Sequence, residues 1–283
     1  MPYDACARKD AGVPGWEHAG MDVAVRLDRA PEAAAVDPLA APWAGGPDDG
    51  PPVLVLHGFS GSPRSMRPWA EHLAAHGLRV ELPRLPGHGT SWRELNVTGW
   101  QDWYAVAERA LLNLADASGR PVGVGGLSMG GALALRLAQT HRDLVRGLVL
   151  VNPVINIVDP RIRALRALRL LTPSLGGIAG DVAKPGVDEG GYDRTPLHAL
   201  YSQSHLWALV RRDLASVGTP LLVYRSAQDH VADPSSVALL REHTVSSDRT
   251  FVVLERSYHV ATLDHEAQTI FDGSVGLFSR LAG

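Results

Sequence analysis

The segment Gly126-Leu127-Ser128-Met129-Gly130 has the composition of a serine nucleophile carried on a sharp strand-to-helix turn. An apolar run, Pro121-Val122-Gly123-Val124, precedes it, and a helical stretch, Ala132 to Ala138, follows. A turn this tight strains the serine backbone and leaves no room for neighbouring side chains, which accounts for the glycine two residues away on either side. In a chain with 29 glycines the string alone carries little weight, and Ser128 could simply cap a helix. The strand before, the Ala/Leu-rich helix after and the additional Gly131 favour the nucleophile.

A serine hydroxyl needs a base that titrates near neutral pH and an acid that orients the base. On this kind of turn the partners follow in the order Ser, Asp, His, each on a loop after a late strand. Asp229 follows the apolar run ending at Tyr224, and His259 follows the one ending at Leu254. Twelve histidines compete for the base role, but His57, His76 and His88 precede the nucleophile and His265 opens the last helical pattern. Asp233, directly before Pro234, reads as a helix cap, and Asp264 comes after the histidine. Acyl transfer also needs donors for an oxyanion. The Met129 amide at the start of a helix is one, and the Phe59 amide in His57-Gly58-Phe59-Ser60-Gly61-Ser62-Pro63 is the other, unless that loop is a plain glycine turn.

Short β-branched runs at 53–56, 78–82, 122–124, 148–151, 221–224 and 251–254 read as buried parallel strands. Helical patterns at 66–76, 100–116, 128–141, 234–242 and 266–281 alternate with them, as a doubly wound sheet requires. Trp100, Trp103 and Tyr104, three and four residues apart, read as one helix face packed on the sheet. The alternation fails between residues 152 and 212, where no strand is expected and Pro160, Pro173, Gly176-Gly177, Pro185 and Gly190-Gly191 divide short amphipathic pieces. This segment is expected to be a cap over the carboxyl ends of the strands, where ligands bind in open α/β sheets. The expected organisation is therefore a core of residues 51–151 and 213–283, a cap of 152–212, and an Ala/Pro/Gly-rich segment of 1–50. In that first segment only Met21 to Leu27 alternates like a strand, and 45–50 reads as loop.

At 283 residues and 45% hydrophobic the chain suits one large domain with an insertion. A net charge of -3 argues against a nucleic-acid partner. No stretch approaches the roughly 20 apolar residues of a membrane span, and residues 1–10 lack the apolar core of an export signal. Cys6 is the only cysteine, so no internal disulfide forms, which suits a cytoplasmic protein. No metal or organic cofactor is expected.

With these residues in view, the chain resembles the bacterial carboxylesterase and monoacylglycerol lipase branch of the α/β-hydrolases over roughly residues 52–281. The segments that carry the resemblance are 57–63, Leu82-Pro83-Arg84-Leu85-Pro86-Gly87-His88-Gly89-Thr90, 126–131, Asp229-His230-Val231 and Ser257-Tyr258-His259-Val260-Ala261-Thr262-Leu263-Asp264, in that order. The resemblance implies a triad of Ser128, Asp229 and His259 with Phe59 and Met129 as oxyanion amides, which agrees with the reading above. It also implies a small mobile cap with an apolar face for an acyl chain and a polar pocket for the alcohol. Glu189, in Val187-Asp188-Glu189-Gly190-Gly191-Tyr192, resembles a glycerol-contacting glutamate of the monoacylglycerol lipases, the alternative being a solvated cap side chain.

Arg161, Arg163, Arg166 and Arg169 lie beside Ile162, Leu165, Leu168 and Leu171. A helix there either packs its leucines over the pocket with its arginines in water, or docks transiently on anionic lipid. The expected activity is hydrolysis of small carboxylic esters with medium or long acyl chains, monoacylglycerols first, through an acyl-enzyme. Acyl transfer to another alcohol or amine uses the same intermediate and is the alternative. A noncatalytic receptor on the same fold is the rival from another class.

Overall fold

The computed structural model describes residues 37–177 and 180–282; the strand expected at residues 21–27 lies outside them. Seven strands form the main sheet: β1 (Trp43–Gly45), β2 (Pro52–Leu56), β3 (Arg79–Leu82), β4 (Val122–Leu127), β5 (Val145–Val151), β8 (Leu221–Ser226) and β9 (Arg249–Leu254), in the order β1-β3-β2-β4-β5-β8-β9. All neighbours pair in parallel except β1, which runs antiparallel to β3 with Trp43 opposite Leu82. β6 (Ser174–Gly176) and β7 (Arg194–Pro196) form a separate antiparallel ribbon.

The helices are α1 (Arg67–Ala75), α2 (Trp92–Asn96), α3 (Trp100–Ser118), α4 (Met129–Thr140), α5 (Pro160–Leu171), α6 (Leu197–Arg212), α7 (Ser235–His243) and α8 (Ala267–Ala282). Period-two alternation divides the sheet residues between two cores. Leu54, Leu56, Leu148, Leu150 and Val223 face α3, α4, α6 and α7, while Val53, Val55, Val149, Val151 and Tyr224 face α1 and α8. Trp103 is fully buried in the first core, with Trp100 and Tyr104 packed against it.

β4 is the central strand and carries glycine at 123, 125 and 126, which propensity alone would disfavour. The vacated side-chain space is filled from the adjoining helices. A Cβ on Gly123 would lie 2.6 Å from the ring of Phe278 of α8, and one on Gly125 would lie 2.7 Å from Trp69 of α1. The rings replace the missing side chains, so β4 remains fully buried along its length.

Two sequence expectations need correction. Residues 1–50, in which only 21–27 was expected as strand, contain β1 at 43–45, because a three-residue edge strand is too short to show a period. The 152–212 segment contains β6 and β7 and two substantial helices, α5 and α6. Its ribbon is equally short, and the sixteen residues of α6 start directly after Pro196, where proline ends one element and opens another. Among the described residues no helix is long and apolar enough to cross a membrane.

Candidate active site

Ser128 stands between β4 and α4 with φ +55° and ψ -114°, one of three non-glycine residues of positive φ among those described. Its side chain makes no capping hydrogen bond, which removes the reading of Ser128 as an ordinary helix cap. The turn can be this tight because glycines let backbones meet. A Cβ on Gly130 would sit 2.1 Å from the Leu56 carbonyl oxygen, and one on Gly126 would sit 2.3 Å from the Gly130 oxygen. The serine is 7% exposed.

The loop after β2 turns beside it, with Gly58 so placed that a Cβ there would lie 3.4 Å from Ser128 Cβ. This loop is more than a plain glycine turn, because the buried His57 ties it to the loop after β3. The Leu85 amide donates to His57 Nε2 at 3.1 Å, so the ring proton resides on Nδ1, which donates to the Gly58 carbonyl at 3.0 Å. Burial holds the His57 pKa down to about 4, and the ring remains a neutral strut. Ser60 adopts φ +58° in the same loop. Neither the Phe59 amide nor the Met129 amide donates to another group among the described residues.

Asp229 and His259 arrive on the loops after β8 and β9 and meet. His259 Nδ1 lies 2.9 Å from Asp229 Oδ2 and 3.0 Å from Oδ1, with both side chains buried. Asp229 Oδ1 also accepts from the Val231 and Ala232 amides at 2.8 and 2.7 Å. Burial alone would raise the Asp229 pKa, but the hydrogen bond and charge of His259 and those two amides lower it below the ordinary value. Burial likewise opposes charge on His259, yet the hydrogen bond and charge of Asp229, aided by the charges of Glu189 and Asp181, raise its pKa above the ordinary value. A carboxylate at Nδ1 keeps the proton there and leaves Nε2 as the acceptor. The Ser128 hydroxyl makes no hydrogen bond to Nε2 in this structure; catalytic contacts of this kind often tighten only with substrate.

Asn152, which sequence reasoning did not single out, joins these parts. Val151, just before it, accepts the Ser128 amide at 3.0 Å. Asn152 itself has φ +43°, and its Nδ2 donates to the His259 carbonyl at 2.8 Å, the Tyr258 carbonyl at 3.3 Å and Ser226 Oγ at 3.0 Å. Its Oδ1 accepts the Ser226 amide at 2.7 Å. A polar residue directly after the apolar run of β5, of a type that tolerates positive φ, was the available signal.

Glu189 is 8% exposed, so it is not a solvated cap side chain. It accepts the Gly180 amide, and burial raises its pKa against that hydrogen bond and the nearby charge of His259. The segment around it is pinned to the loops it faces. Arg64 pairs with Asp37 at 2.7 Å and donates to the Asp188 carbonyl at 3.1 Å, and the Tyr192 amide donates to the Ser60 carbonyl at 3.2 Å. Tyr192 Oη donates to the Gly87 carbonyl at 2.7 Å and accepts from the Thr90 amide at 2.9 Å. α7 opens at Ser235, so Pro234 and not Asp233 holds the N-cap position; the Asp233 carboxylate still accepts the Ser235 amide at 2.8 Å.

The sequence profile of the Hydrolase_4 family, described as serine aminopeptidase S33, matches residues 51–266. The chain belongs to this family of serine hydrolases. A thermostable monoacylglycerol lipase of Bacillus sp. (strain H-257) is 38% identical to this hydrolase over 232 residues, 82% of this chain and 91% of the relative. A carboxylesterase of Bacillus subtilis (strain 168) is 26% identical over 220 residues, covering 77% and 88%. A solved structure described under two metagenome-derived lipolytic enzymes, LipS and LipT, matches with a TM-score of 0.82 at 34% identity, covering 87% of this chain and 99% of that one. With the topology above, these matches give the hydrolase the α/β-hydrolase fold.

Asn152→Ala would leave the Ser226 amide and two loop carbonyls without their buried partners. The expected loss is about 2–4 kcal/mol of unfolding free energy. Urea denaturation checks it, and a change below about 0.5 kcal/mol would remove Asn152 from its joining role.

Proposed function

We propose that this hydrolase cleaves carboxylic esters through an acyl-enzyme on Ser128, with medium- or long-chain monoacylglycerols as its substrates. The observation that carries the reading is the buried Asp229–His259 pair at 2.9 Å, presented on loops at the same sheet end as the strained Ser128. In this mechanism His259 Nε2 takes the Ser128 proton as Oγ attacks the ester carbonyl, and the Phe59 and Met129 amides hold the oxyanion. Asp229 stabilises the imidazolium that forms. His259 then protonates the departing alcohol and activates the water that releases the acid.

For the alcohol portion, Glu189 supplies a buried carboxyl group able to accept from a hydroxyl. That the 38% identical relative is named a monoacylglycerol lipase supports the same substrate class. The cytoplasmic location stays part of this proposal, on the strength of the single cysteine.

The cap helix α5 serves both readings made from its sequence. Leu165 is buried and Ile162 packs on the core, whereas Leu171, expected over the pocket, is 83% exposed, with Leu170 at 71% and Val158 at 70%. Leu171 falls at the end of α5, past the part of the helix that the core covers. These side chains, with Arg161, Arg163 and Arg166 exposed nearby, favour transient docking on an anionic lipid surface.

Three outcomes test the proposal. Ser128→Ala should abolish fluorophosphonate labelling and reduce ester turnover by about 10⁵-fold or more while the fold is retained; retained labelling overturns the assignment, as would faster turnover of amino-acid anilides than of esters. Glu189→Ala should weaken kcat/KM on monoacylglycerols about tenfold more than on a simple aryl ester, about the worth of one or two hydrogen bonds, and equal losses would remove Glu189 from the alcohol site. In vesicle sedimentation the protein should partition to anionic over neutral liposomes, with Leu170→Glu/Leu171→Glu abolishing the preference; equal partitioning ends the lipid reading.

A further inference from the structure

We infer that Asp181, a cap residue outside the triad, is a positioning residue that fixes the backbone of His259 and joins the two loops on which Asp229 and His259 stand. The inference rests on the proposed roles of Ser128, Asp229 and His259.

The loop after β8 and the loop after β9 share no strand pairing beyond Ser226 and Leu254, where the ladder ends. Past that point the Asp229–His259 contact depends on other links. Asp181 supplies three of them with one carboxylate. Its Oδ2 accepts the His259 amide at 3.0 Å and the His230 amide at 3.3 Å, and its Oδ1 pairs with His230 Nδ1 at 2.7 Å. Its own carbonyl accepts the Val260 amide at 3.1 Å. His230 is the direct neighbour of Asp229, so the bridge runs from the residue beside the orienting acid to the base itself. The Asp181 side chain is 15% exposed, which strengthens these charge-assisted bonds relative to a surface pair.

The peptide groups of His259 are thus gripped from opposite directions. Asn152 holds its carbonyl from the sheet, and Asp181 holds its amide from the cap. A second carboxylate holds the same cap loop: Asp264 accepts the Ala183 and Lys184 amides at 2.7 and 3.0 Å, and the Tyr258 amide at 2.8 Å. Residues 181–184 therefore form part of the base's support.

Position and charge both come from Asp181, and substitution separates them. The charged groups acting on the His259 ring are Asp229, Glu189 and Asp181, and each favours the imidazolium against burial; His230 is the partner of Asp181 on the far side. Asp181→Asn retains an oxygen for the His259 amide and loses the charge. Asp181→Ala loses both.

The test measures kcat and KM on a short-chain aryl ester across pH, fluorophosphonate labelling rates and urea denaturation for the wild type and both variants. Asp181→Ala should lower kcat about 10–100-fold, the cost of a base displaced by a fraction of an ångström to an ångström. KM should stay within about twofold, and labelling should slow in parallel with kcat. Asp181→Asn should recover most of kcat and move the acidic limb of kcat/KM to lower pH. Wild-type kcat in the Ala variant, or lost stability with kcat per folded molecule unchanged, overturns the inference. Should the Ala variant fail to fold, the Asn variant decides, and an unshifted acidic limb overturns the inference. Absence of labelling in the wild type, or its persistence in Ser128→Ala, would instead defeat the underlying triad reading.

Discussion

Everything at the site depends on how close the first turn of α4 comes to the end of β2. The approach is possible only because Gly130 presents no side chain to the Leu56 carbonyl and Gly126 none to Gly130. An L-residue held at φ +55° costs about 1–2 kcal/mol, and the surroundings compensate. Ser128 donates its amide to Val151, and its carbonyl accepts from Gly131, Ala132 and Val154, so β5 and the helix both over-determine the turn. From the same approach it follows that the loop after β2 lies alongside the helix start. Gly58 is brought against Ser128 for that reason, although 70 positions separate them in the chain.

Three carboxyl groups bear on one buried imidazole, and their placement divides the work. Asp229 is held ionised by His259 and two loop amides, so it remains a fixed anion whatever the alcohol pocket contains. Glu189, more heavily desolvated relative to its support, has its pKa moved upward instead. The environment thereby shifts groups of nearly the same intrinsic acidity in opposite directions. Asp181 touches only backbone and His230, and its influence on the ring is through charge and position.

Much of this was legible in the sequence because it depends on local chemistry. The strand-turn-helix around Ser128 and the order of Asp229 and His259 each follow from residue types at fixed spacing. The fully buried strands of the sheet declared themselves as β-branched runs. β1 and the β6–β7 ribbon did not, since three residues are too few for a period to emerge and their pairing is set by distant partners. Asn152 and Asp181 escaped for a related reason. Their roles are defined by peptide groups about 107 and 78 positions away, as the bonds to His259 show. Asp181 in particular lies in a glycine-rich stretch whose composition says only that the chain turns there.

The hollow in β4 bears on the order in which the enzyme can become whole. The strand that ends in the nucleophile lacks side chains of its own at 123 and 125, and its missing volume is supplied by Trp69, made earlier in the chain, and by Phe278, made well after the strand. The groove at Gly123 therefore stays open until α8 docks, and packing beneath the serine waits on a helix translated long after the turn that carries it.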